Sequence, residues 1–273
     1  MGTVQTLPGI TSQMIQTSRL NQHILLSGAT DGEAVLFIHG NGSSATFWEE
    51  IMLKLPQGIR GIAPDLRGYG DTEDKLIDAT KGMNDWVQDL LALMDALKID
   101  KAHIMGHSMG GTIVFAMAAE AGERILSATV VNPGSPYGFG GTKDHLGTPC
   151  YNDFAGSGGG IVNPEFPKLI AAGDRGSDNP QASPRVVINS FYWKAPFVPE
   201  RIEDLLSSLL TEKIGPDKYP GDFVSSENWP NVAPGKWGPI NALSPKYVGT
   251  VSYTHLRAHE TVLDLVCRLL LEK

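Results

Sequence analysis

The stretch GHSMGG, residues 106–111, holds a serine between two glycines, each one residue removed from it. A serine hydroxyl attacks a carbonyl carbon usefully only under two conditions: a base takes its proton, and N–H groups meet the charge that develops on the carbonyl oxygen. Ser108 is the candidate nucleophile, and the backbone N–H of Met109 is one candidate donor. A second donor is expected from HGNGSS, residues 39–44, where Asn41 is the candidate. Residues of these types at this spacing point to acyl transfer.

Such a serine needs a strand, a sharp turn and a helix to present it. AHIM reads as a buried strand before the turn, and TIVFAMAAEA after it is apolar nearly all round, as a helix packed on a sheet should be. Gly106 and Gly110 are expected where a Cβ would collide with neighbouring backbone, with His107 in the turn between them. Asn41 follows the apolar run AVLFI, so both candidate donors lie just past the ends of strands.

The surrounding pattern supplies those strands. QMIQTSR and NQHILLSG read as an opening hairpin, followed by AVLFIHG, IRGIAPDL, AHIMGH and SATVVNP, whose near-continuous apolar character suits parallel strands covered on both faces. In NDWVQDLLALMDALKI, residues Trp86, Leu90, Leu91, Met94 and Leu97 share one helical face, with Asn84 as expected N-cap and Asp85 in the first turn. Strand and helix alternate to Pro133, which predicts an open, mostly parallel α/β sheet with crossover helices. From Gly134 the chain turns rich in Gly, Pro and aromatic residues, strand signals vanish, and PERIEDLLSSLLTEKI is the one clear helical stretch. GSGGG lacks the Lys and Ser or Thr of a phosphate loop and reads as a flexible surface loop.

HGNGSS, PDLRGYGDT, the NDWVQDLLALMDAL helix and GHSMGG, in this order over about residues 34–133, resemble the landmarks of the α/β-hydrolase family, in its lidded, serine esterase-like branch. The resemblance implies a nucleophile elbow at Ser108, an oxyanion hole, a His base with an acid that orients it, and no cofactor. It divides the chain into a core over residues 1–134, a lid or cap over 135–245 and a return to the core at 246–249; residues 250–273 are expected, on separate grounds, to be a non-native tail. Serine rather than aspartate at the elbow sets epoxide hydrolases and haloalkane dehalogenases aside, while Asp65 and Arg67 match a loop motif whose usual role is structural. Phe191, Tyr192, Trp193, Phe197, Trp229 and Trp237 are candidates for an apolar pocket lining within the lid.

In the family, acid and base follow two strands beyond the lid. Here ALSPKYVG runs directly into VSYTHLRAHET. Residues 251–260, VSYTHLRAHE, resemble an in-frame translation of the transposon-end adapter used for DNA sequencing libraries. Residues 265–273, LVCRLLLEK, resemble that of the adapter's flow-cell end, across an index-sized gap. Native sequence is therefore expected to end at Gly249, so that His255, His259, Asp264 and Cys267 carry no functional information. His23, His39, His103, His107 and His145 read as structural, which leaves the chain without its acid and base and predicts negligible turnover.

A net charge of -8 disfavours nucleic acid and anionic membranes as partners, leaving a small acyl substrate as the expected one. Cys150 and Cys267 form neither a disulfide framework nor a zinc motif, and no metal is expected. Without a signal-like start or a long apolar run, the expected location is the cytoplasm. The rival to an enzyme is a protein of the same fold that binds ligand without turnover, although a binder has no use for a strained serine.

Overall fold

The computed structural model describes residues 4–248, so His255, His259, Asp264, Cys267 and the rest of the expected tail lie outside the described residues. The opening hairpin is β1 (Thr11–Gln16) and β2 (Asn21–Gly28), paired antiparallel, followed by β3 (Glu33–Ile38) and the single-turn α1 (Glu49–Met52). Then come β4 (Ile59–Pro64), α2 (Asn84–Ala96), β5 (Ala102–His107), α3 (Met109–Glu120) and β6 (Ile125–Val131). These strands form one sheet in the order β1-β2-β4-β3-β5-β6, in which β4, β3, β5 and β6 run parallel.

That order carries a functional consequence. The chain leaves β3 toward β4 on one side and later returns to place β5 on the other, so β3 and β5 are neighbours with their C-terminal ends together. The loops after them must meet at such a switch point. HGNG and GHSMGG are those two loops.

Alternation along β3 explains why its sequence is apolar throughout. Leu36 and Ile38 join the larger core with Trp86, Leu90, Leu93 and Met117, whereas Phe37 points to the opposite face and packs with Leu25, Trp48 and Met52. The expected face of α2 is the packed one, with Trp86, Leu90 and Met94 buried and Leu91 and Leu97 at its margin. Its start differs from expectation: Met83 is the N-cap, and the Asn84 side chain instead donates to Glu120 at 3.0 Å. Asp85 and Asp89 serve a buried ion network rather than the helix terminus alone. Asp89 receives Arg67 through two hydrogen bonds of 2.8 Å and Arg19 at 2.6 Å.

After β6 the chain is more ordered than its composition suggests. Residues 135–245 contain α4 (Glu165–Ala171), α5 (Pro184–Phe191), α6 (Ile202–Leu209), a short antiparallel pair β7 (Phe223–Ser225) and β8 (Val232–Pro234), and α7 (Pro239–Ala242). The PERIEDLLSSLLTEKI helix is thus one of several. GSGGG is not a surface loop either. Ser157, Gly158 and Gly159 are buried, and the Gly159 N–H donates to the side chain of Asn241 at 2.8 Å. Among the described residues, β6 pairs with β5 on one side and with no strand on the other. No described helix is long and apolar enough to cross a membrane.

Candidate active site

Ser108 sits between the last residue of β5 and the first of α3, with φ 54 and ψ -119, a backbone conformation that side chains other than glycine rarely adopt. Three interactions fix it there. Its N–H donates to the carbonyl of Val131 at 3.0 Å, and its own carbonyl accepts from Gly111 at 2.9 Å and Gly134 at 3.2 Å. The glycine requirement is steric. A Cβ on Gly106 would lie 2.3 Å from the carbonyl oxygen of Gly110, and one on Gly110 would lie 2.2 Å from that of Ile38. This closeness brings the turn onto the loop after β3, so a Cβ on Gly40 would meet the Ser108 Cβ at 3.0 Å.

The two candidate donors therefore flank the serine. Among the described residues, neither the Asn41 N–H nor the Met109 N–H has a hydrogen-bond acceptor, as the start of a helix leaves its first N–H groups open. The loop itself is braced from several sides. Tyr69 donates to the Asn41 side-chain oxygen at 2.8 Å and lies 3.7 Å from the Met109 sulfur, and Ser43 donates to the Gly40 carbonyl at 2.8 Å. Tyr192, which ends α5, donates to the carbonyls of Asn41 and Gly42 at 3.0 Å each. Ser208 of α6 bonds Ser44, and Arg201 pairs with buried Glu49 at 2.8 Å.

Sequence reasoning missed most of this bracing. Tyr69 lies inside the PDLRGYGDT motif but carries no signal of its partner, and Tyr192 looks like a pocket aromatic although its hydroxyl is the working part. Phe191 and Trp229 are 80% and 76% exposed, and Phe197 is exposed as well, so these three line no enclosed pocket. Glu212 is a further omission. Its carboxyl is buried against the same loop, and burial drives it well above the ordinary carboxylate range despite the opposing influence of Tyr69 and the Gly42 N–H. Neither of its oxygens reaches full hydrogen-bond geometry with a partner.

No described histidine or carboxylate hydrogen-bonds the Ser108 hydroxyl. His39 lies nearby, but both its nitrogens are occupied: Nε2 accepts from the Leu66 N–H at 3.0 Å, so Nδ1 carries the proton and donates to the Gly40 carbonyl at 2.8 Å. Burial lowers it to about 4, outweighing the Asp65 charge. His107 is likewise lowered by burial. His103 bonds Ser127 and Glu33, and His145 is exposed. Among the described residues, no group of His, Cys, Asp or Glu could hold a metal ion.

Residues 33–148 match the family model described as alpha/beta hydrolase fold. That segment has the alpha/beta hydrolase fold and is similar to members of the family. Among its relatives is the 2-hydroxy-6-oxo-6-phenylhexa-2,4-dienoate hydrolase of Burkholderia cepacia, 35% identical over 118 residues, which cover 42% of this chain and 41% of that protein. Another is epoxide hydrolase 2 of Siraitia grosvenorii, 37% identical over 102 residues, covering 37% of this chain and 32% of that protein. The matched segments thus span less than half of the curated relatives' own length. A solved hydrolase from Pseudomonas aeruginosa PA01 has the same fold, with a TM-score of 0.50 at 18% identity over 74% of this chain and 68% of that one. Alpha/beta hydrolases with different substrates share this segment, so the segment identifies a hydrolase scaffold and leaves the reaction to the site.

Proposed function

We propose that the protein is a serine hydrolase that cleaves an ester or related acyl bond through an acyl-enzyme at Ser108. The observation that carries the reading is the backbone of Ser108, at φ 54 and ψ -119 over the start of α3. Strain of this kind costs about 1–3 kcal/mol, and it leaves the Ser108 side chain only partly buried. In the proposed reaction a base removes the Ser108 Oγ proton as Oγ attacks the acyl carbon. The Met109 and Asn41 N–H groups then receive the oxyanion, each worth roughly 10²–10³ in rate for such a donor. Collapse expels the alcohol or amine, and water completes the cycle by the reverse proton path.

The base and its orienting acid lie outside the described residues in this reading, and the segment 135–245 acts as a lid whose α5 and α6 cover the oxyanion loop. On the reading of 251–273 as adapter-derived, the 273-residue chain turns over negligibly, and restoring the source gene's own frame after Gly249 restores activity. The substrate is a small molecule. A lactone, a short peptide or a carbon–carbon bond beside a carbonyl would all suit the same serine chemistry.

The test is a fluorophosphonate probe applied to the protein carrying the gene's own continuation. Labelling confined to Ser108 and abolished in Ser108→Ala is expected. An active hydrolase that stays unlabelled at Ser108 would overturn the reading.

A further inference from the structure

A second serine, remote in sequence from Ser108, also stands at the head of a hydrogen-bonded relay. Ser12 on β1 and His23 on β2 occupy the same face of the hairpin, because Ser12 pairs with Leu25 and Met14 pairs with His23, which makes Ser12 and His23 diagonal neighbours. The Ser12 Oγ lies 2.8 Å from His23 Nε2, and His23 Nδ1 lies 2.7 Å from Asp65 Oδ2. Asp65, just past β4, is held in turn by the N–H groups of Ala45 and Asp71, each at 2.8 Å. Burial alone would raise the Asp65 carboxyl, but the His23 hydrogen bond and charge bring it below its ordinary value, so it is ionised at neutral pH. An ionised Asp65 requires the proton on His23 Nδ1, so that in the neutral imidazole, above the raised His23 pKa, the Nε2 lone pair faces the serine. Hydroxyl, imidazole and buried carboxylate are thus joined atom for atom as in a nucleophile, base and orienting acid.

The hydroxyl is also reachable. Ser12 is exposed on the edge strand while His23 and Asp65 are buried behind it. All three line a cavity of about 730 Å³ together with Ser44, Thr46 and Lys213. Ser108, Met109 and Asn41 do not line it. A cavity of this size is in the range that admits small organic molecules.

We propose that Ser12, His23 and Asp65 form a second hydroxyl-activating site, at which Ser12 takes an acyl group from an activated small ester entering this cavity. Ser12 Oγ bonds to the acyl carbon as His23 Nε2 receives the hydroxyl proton. The bond from the acyl carbon to the leaving oxygen then breaks, and that oxygen departs with the proton from Nε2. The products are Ser12 O-acyl ester and a free phenol or alcohol. The site performs a single acylation and makes no claim to turnover.

The experiment uses the full 273-residue chain with Ser108→Ala, so that the proposed nucleophile of the main site cannot contribute. The protein is incubated with p-nitrophenyl acetate and mapped by tandem mass spectrometry. Ser18, exposed on the same hairpin, serves as internal reference. Acetylation of Ser12 at least tenfold above Ser18 is expected, with the excess lost in His23→Gln. A Ser12→Ala protein, altered only at an exposed edge position, should release one equivalent less of nitrophenol and guards against a His23 variant that fails to fold. Equal labelling of Ser12 and Ser18, or an excess that survives His23→Gln in folded protein, overturns the proposal and leaves His23 and Asp65 as a structural pair. Either result is independent of Ser108, whose own labelling is measured in the unsubstituted protein.

Discussion

His39 gives the sharpest quantitative handle on the loop that braces Ser108. It is fully buried, its Nε2 accepts from Leu66, and burial lowers it from 6.5 to about 4. In the unfolded chain the same imidazole takes up a proton as the pH falls through about 6.5, whereas in the folded protein it resists until about 4. The unfolded state therefore binds more protons throughout that window. Stability falls as the pH is lowered through it, and the loss levels off below the folded value. The gap corresponds to a ceiling of about 3 kcal/mol at about 1.4 kcal/mol per pH unit, of which about 2 kcal/mol is lost by pH 5. His23 acts in the opposite sense: burial lowers it, but the Asp65 hydrogen bond and the charges of Asp65 and Asp71 leave it raised overall. Its contribution is fully present at low pH and is lost as the pH rises through its folded value. A comparison that keeps His23 and removes His39 isolates the first effect. Urea unfolding of the parent and of His39→Gln at pH 7.5 and pH 5 should show the parent losing about 2 kcal/mol more than the variant, whatever the variant's absolute stability. Equal losses in the two proteins would mean that His39 is not held neutral, and the case against it as a proton acceptor for Ser108 would fail with that result.

Three further outcomes follow from particular contacts. Asp89→Ala strands the guanidinium of Arg67, whose side chain is 9% exposed, and should cost about 3–5 kcal/mol, read as a lower denaturant midpoint. Ser108→Gly relieves the positive φ and should raise stability by about 1 kcal/mol in a thermal melt, even as it removes the proposed nucleophile; a destabilised variant would speak against strain at residue 108. Tyr192→Phe removes the hydroxyl shared by the Asn41 and Gly42 carbonyls, and should cost about 1–3 kcal/mol with faster amide exchange confined to residues 40–44; unchanged exchange there would mean that α5 does not brace the loop.

The parts of this protein that were legible from sequence are those where local pattern and tertiary environment agree. AVLFI is apolar along its whole length because both faces of a central parallel strand are covered. GHSMGG signals its turn because Gly106 and Gly110 are demanded by backbone contacts that no other residue tolerates. Beyond Gly134 that agreement ends. The helices α4 and α7 span 7 and 4 residues, too short to develop a periodic stripe, and β7 and β8 have 3 each. Their order comes from distant side chains such as Asn241, which bonds the Gly159 N–H and the carbonyls of Asp222 and Trp237. GSGGG was misleading for the same reason: glycines that look like a mobile linker are there because Gly221 and Pro234 press against them. Asn84 has the composition of a cap and a tertiary partner that takes it away. At the site, spacing marks the position of the strained serine and of the two N–H groups beside it that have no acceptor among the described residues. Tyr69, Tyr192 and Glu212 could not, because their roles are set by which backbone atoms lie within about 3 Å, which no sequence spacing encodes.

The most direct test follows the acyl group itself. On the proposed reading of residues 251–273 as adapter-derived, protein with the source gene's own frame in their place is mixed with a slowly deacylating ester, quenched during turnover and digested, and the peptide containing Ser108 is weighed. An added mass equal to the acyl group, on Ser108 and formed as fast as the enzyme turns over, is expected. Steady turnover with that peptide unmodified, or with the acyl group carried elsewhere, would contradict a nucleophilic hydroxyl at the strained turn.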